Sequence, residues 1–214
     1  MDEQEVLIRF LTGKMESKEF NSAVISSAAL QERIAALVPQ EAVHNREHPF
    51  WKNISYSGLE TDGFDAWKHL CRLCDFDGSL GDSLNVFGSL KAMFKYYAPD
   101  LPYTTFYHDA YGLYLDAAQD CFDGPEVEHI TESVIRNALP VMPKTKRIQT
   151  AKQQMKEAFH VTDRARPRWI QGPEWPMGQK SPMKFIEQRR KKEEVHYLFQ
   201  DADSAETRTI VQYY

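Results

Sequence analysis

Apolar residues recur along this chain at two spacings, and the change from one to the other divides it. Glu3 to Leu11 puts Val6, Leu7, Phe10 and Leu11 on one helical face, and Thr12 with Gly13 ends the run. Ser17 serves as N-cap of a second helix with the stripe Phe20, Val24, Ile25, Ala28, Ile34 and Leu37, closed by Pro39. The same interval links Phe64, Trp67, Leu70, Cys71 and Cys74 behind Asp62, then Leu84, Phe87, Leu90, Phe94 and Tyr97 after Gly78 and Gly81. Pro125 opens a helix with Val127, Ile130, Val134 and Ile135 inward. A basic helix over Lys144 to His160 buries Ile148, Ala151, Met155 and Phe159. Pro102 to Phe122 is dense in tyrosine; its pattern fits a helix or a strand pair, and helix is the reading adopted.

Beyond a Pro/Trp-rich stretch that starts at Arg166, the period falls to two. Met183–Gln188, Glu194–Gln200 and Thr207–Tyr214 read as strands, with Val195, Tyr197 and Phe199 alternating against His196, Leu198 and Gln200. Arg189 to Lys192 mark the first turn, and Asp-Ala-Asp-Ser-Ala supplies the second. Such a meander needs a helical layer against it. The pattern therefore predicts an α+β fold: a mainly helical N-terminal part and a small C-terminal antiparallel sheet of about three strands. Two parts are expected, an acidic helical domain over residues 1–143 and a basic part over 144–214, the latter packed on the former.

Charge sharpens that division. Residues 1–143 hold 22 Asp/Glu against 11 Lys/Arg, whereas residues 144–214 hold 9 against 15. No Lys or Arg falls between Lys95 and Arg136, a gap containing seven tyrosines and phenylalanines from Tyr96 to Tyr114 together with Asp109, Asp116, Asp120, Asp123, Glu126 and Glu128. Solvated helical faces are often acidic. Aromatic anchors beside carboxylates are also what an interface with a basic partner uses, the rings contributing burial and the acids steering encounter. The candidate partner-binding residues are accordingly Tyr107, Asp109, Tyr111, Tyr114, Asp116, Asp120, Asp123, Glu126 and Glu128.

Other chemistry is weakly signalled. Cys71 and Cys74 form a Cys-x-x-Cys, but both lie on an amphipathic helical pattern, where buried apolar cysteine is the simpler reading than zinc or a redox pair. His44 and His48 have helical spacing without the acid of a metalloprotease motif. No Gly-x-Ser-x-Gly, phosphate loop or dinucleotide fingerprint occurs, so the reading is not an enzyme, with no catalytic residue, metal or cofactor. The basic runs near Trp169 and Trp175 suit nucleic acid, yet the overall charge of −5 opposes it. No apolar stretch is long enough to span a bilayer, the acidic start is unlike a signal peptide, and three irregular cysteines suit a reducing compartment; a cytoplasmic protein is expected.

Three blocks carry a family resemblance: VLIRFLTGKMESKEFNSAV, DSLNVFGSLKAMF, and RPRWIQGPEWPMGQKSPMKFIEQRRKKEEVHYLFQDADSAETRTIVQYY. Together they resemble bacterial immunity proteins that accompany polymorphic, Rhs-type toxins. The resemblance implies a protein that binds a cognate secreted toxin domain with a basic cleft, a nuclease or an ADP-ribosyltransferase, and occludes its active site. It also implies that Trp169, Glu174, Trp175 and Pro176 hold the fold, while the dissimilar Gln40–Asp82 and Asp100–Pro143 regions meet the partner. The alternatives are a cytoplasmic enzyme that reverses toxin damage and a nucleic-acid-binding module built on the basic C-terminal part.

Overall fold

In the computed structural model, residues 2–37, 39–42, 45, 47, 49, 80–97, 103–119, 121–162 and 165–214 are described. Among them are seven α-helices and a three-stranded antiparallel sheet, so the chain is α+β as its hydrophobic pattern predicts. The helix expected behind Asp62 lies outside the described residues. None of the described helices is long and apolar enough to cross a membrane.

Helix α1 (Glu3–Leu11) has the predicted bounds. The Asp2 carboxylate accepts from the Gln4 amide at 3.4 Å, while Glu3 and Glu5 face the positive end of the helix dipole. Gly13 ends the helix with a φ of +71°, and a Cβ there would sit 2.5 Å from the Phe106 ring, so two constraints demand glycine. The second predicted helix is two, α2 (Ser17–Ser26) and α3 (Ala28–Ala35). Ser27 breaks them by leaving helical geometry and capping α3, its hydroxyl accepting from the Leu30 amide at 3.1 Å. At the start of α2 the N-cap position is Glu16 rather than Ser17, with no side-chain cap bond, and Ile25 near the break is 57% exposed. Helix α4 (Leu80–Tyr97) adds Phe87, Leu90 and Phe94 to a core with Phe10, Phe20 and Ile34, in which the Phe10 and Phe20 rings stack 3.9 Å apart.

The chain divides into two compact units, residues 1–108 and 109–214. The boundary expected between residues 143 and 144 falls inside the second unit, where α6 (Glu128–Ala138) and α7 (Lys144–Ala158) pack on one another. The reason is apolar burial: Ile135 and Ala138 before that point, and Ala151 and Met155 after it, are all fully buried. Helix α5 (Phe106–Ala117) runs across the division.

The sheet of the second unit is the meander β1 (Lys184–Arg190), β2 (Glu194–Gln200) and β3 (Thr207–Tyr213), with β2 central. Val195, Tyr197 and Phe199 point inward and are fully buried, which is the predicted alternation. Over them lies Trp175, 1% exposed, with its ring 5.0 Å from Phe159, 5.3 Å from Phe199 and 6.0 Å from Phe122. Its indole N–H donates to the Met183 carbonyl at 2.7 Å. Trp175→Ala removes both the ring and the bond and is expected to cost about 3–5 kcal/mol. Trp175→Phe keeps most of the packing but orphans a buried carbonyl, for about 1–3 kcal/mol. Urea unfolding of the two variants measures both, and equal losses would show that the hydrogen bond, not the packing of the ring, carries the contribution.

Candidate functional site

The tyrosine-rich segment is helical because its apolar residues keep one face: Tyr107, Ala110, Leu113 and Ala117 of α5 are buried. The Thr104 hydroxyl accepts from the Phe106 amide at 3.0 Å and caps the start. The opposite face carries His108, Asp109, Leu115 and Asp116, all exposed, with Tyr111 and Tyr114 half-buried on its flank.

The nine predicted partner residues do not form one surface. Tyr107 is 0% exposed, its ring 4.9 Å from Phe10 and 5.1 Å from Phe87 in the core of the first unit. A side chain with no exposed surface offers none to a partner, so Tyr107 is a core residue. Asp120 lies outside the described residues. Glu126 is committed within the chain: its carboxylate is 2.7 Å from the Arg208 guanidinium on β3 and accepts from the Met177 amide at 3.0 Å. The hydrogen bond from Arg208, then that from Met177, holds the Glu126 carboxyl below its ordinary pKa. Asp116 lies 3.5 Å from Lys144, an exposed pair of little energetic weight.

Four of the nine do come together. The Tyr111 and Tyr114 rings stack at 5.9 Å, and the Tyr114 hydroxyl donates to the Asp123 carboxylate, whose other oxygen accepts from the Gly124 amide at 2.8 Å. Burial, then the hydrogen bond and charge of Asp123, and to a lesser degree Tyr111 and Glu128, push the Tyr114 phenol well above its ordinary pKa. Glu128 sits in the first turn of α6, where a negative charge complements the helix dipole. The Tyr114 phenol, its pKa raised, is protonated near neutral pH and acts there as a hydrogen-bond donor.

A feature that the hydrophobic pattern did not reveal borders the C-terminal end of α5, next to Leu115 and Asp116. Lys152 and Lys156 of α7, Arg166 from the segment that follows, and Asp116 line a concavity of about 360 Å³. The i, i+4 lysines off the apolar stripe were the available signal, but a basic helix face reads equally well as solvated. Among the described residues no three His, Cys, Asp or Glu are arranged to hold a metal ion.

No protein-family model matches this chain, and neither a curated protein nor a solved structure matches it.

Tyr114→Phe removes the bond to Asp123 and is expected to cost about 1 kcal/mol at neutral pH. Because folding raises this phenol's pKa, its contribution is complete below about pH 10, the ordinary tyrosine value, and is lost as pH rises through the folded value. Wild type should thus lose its stability lead over Tyr114→Phe in strong alkali. Urea titrations at pH 7 and pH 11 test this, and a lead that did not shrink would contradict the assigned proton linkage.

Proposed function

We propose that this chain is an interaction protein: a cytoplasmic immunity protein that binds a cognate toxin domain with a basic cleft and blocks its active site. One observation carries the reading. Helix α5 carries exposed Asp109, Leu115 and Asp116 together with the stacked, half-buried Tyr111 and Tyr114, and the Glu128 carboxylate contributes to the negative field at Tyr114. Acids there steer a cationic partner, and rings held by Asp123 present a preorganised edge, so little side-chain entropy is lost on docking. The similarity of the three sequence blocks to Rhs-type immunity proteins supports the same reading. Tyr107 and Glu126 are left out of the surface, the first by burial and the second by Arg208.

Inhibition of the cognate toxin domain should end at one equivalent of this protein, since an occluding inhibitor acts stoichiometrically. Protection by far less than one equivalent would favour an enzyme that repairs toxin damage. Asp109→Lys with Asp116→Lys should slow association and lower protection, and association by the wild type should slow as salt rises. Unchanged kinetics in the double variant would remove this face from the proposal.

A further inference from the structure

The concavity of about 360 Å³ between the end of α5 and α7 has a composition that the partner-binding reading leaves unexplained. Its floor is apolar: Ala118, Phe122 and Val161 are buried and face into it. Its rim is cationic. Lys152 and Lys156 stand one helical turn apart, and Arg166 approaches from the segment after Val161. Asp116 is the one described acid of the lining, and Lys144, 3.5 Å away, already offsets it. Lys152 and Arg166 are exposed and, among the described residues, neither forms an ion pair.

Like charges gathered around a cavity with low-dielectric walls focus a positive field into it, and an entering anion relieves their repulsion. A guanidinium flanked by ammonium groups matches an oxyanion, which it can hold with two parallel N–H bonds. An inorganic ion would leave the Phe122 and Val161 floor uncovered, so the occupant needs an apolar body as well. The volume lies at the small end of the range for ligand pockets. We propose that this pocket binds a small organic anion, a carboxylate or phosphate monoester carried on a compact apolar body. The site does not depend on the toxin-binding reading, because it is assayed without a toxin.

Calorimetric titration of the full chain with phenylacetate, phenyl phosphate and inorganic phosphate tests the assignment. At least one aromatic anion should bind saturably, with a Kd of about 1 mM or tighter, and about tenfold tighter than inorganic phosphate. Which of the two binds tighter distinguishes a carboxylate site from a phosphate-ester site. Lys152→Glu and Arg166→Glu should each weaken binding by about tenfold or more while circular dichroism and the unfolding midpoint stay unchanged. Lys152→Gln serves as a milder variant should a reversal disturb folding, and Leu115→Asp on the apolar rim should weaken the aromatic anions more than inorganic phosphate. The proposal is overturned if neither aromatic anion binds saturably, if inorganic phosphate binds as tightly, or if binding is indifferent to the charge at positions 152 and 166.

Discussion

A segment that crosses a protein without helix or strand must find partners for its backbone one group at a time, and the second unit depends on how this is done for residues 168–177. The Arg168 amide donates to the Gln188 side chain, and the Arg168 carbonyl accepts from the buried Tyr197 hydroxyl at 3.0 Å. The Ile170 and Gln171 amides share the side-chain oxygen of Gln212 at 3.2 and 3.1 Å, and the Gln212 amide group donates to the Gly172 carbonyl at 2.7 Å. Trp175 receives its backbone partner from Asp123 at 3.0 Å, beside Gly124, whose φ of +147° and missing Cβ leave room for that approach. Polar side chains planted on the inner face of the sheet thus do for this segment what a neighbouring strand would otherwise do. The two tryptophans it carries then close the layer between the sheet and Phe122 and Phe159. Gln212, 1% exposed, is the clearest case of a buried polar residue retained because every donor and acceptor on it is used.

The electrostatics are reorganised by the same folding. Along the chain the charge is bipolar, but residues 109–214 contain 16 acids and 16 bases and are formally neutral as a unit. Glu126 meets Arg208, Asp116 meets Lys144, and buried Glu132 holds Arg136 at 2.6 Å. Of these carboxylates only Glu132 is taken out of water, where a charge requires a partner; the other two pairs are exposed. The exterior of α5 and its surroundings then carries the stacked tyrosines with the Tyr114–Asp123 pair, and a cationic hollow bordered by Leu115 and Asp116.

The sequence by itself determined the elements. The bounds of α1 and β2, the three-stranded meander, and the inward set Val195, Tyr197 and Phe199 follow from periodicity, whereas the pattern of the tyrosine-rich segment fitted a helix and a strand pair alike. Periodicity reports which face of an element is dry, and a dry face is a property of neighbouring residues along one chain segment. Only the tertiary structure decided where the units divide, that Ser27 splits the second helix, that Tyr107 belongs to the core while Tyr111 and Tyr114 do not, and that Lys152, Lys156 and Arg166 converge on one hollow. All but the Ser27 break, a local cap to Leu30, depend on groups far apart in the chain meeting in space. The energy of a charge or a ring is set by what meets it, and spacing along the chain carries no record of that.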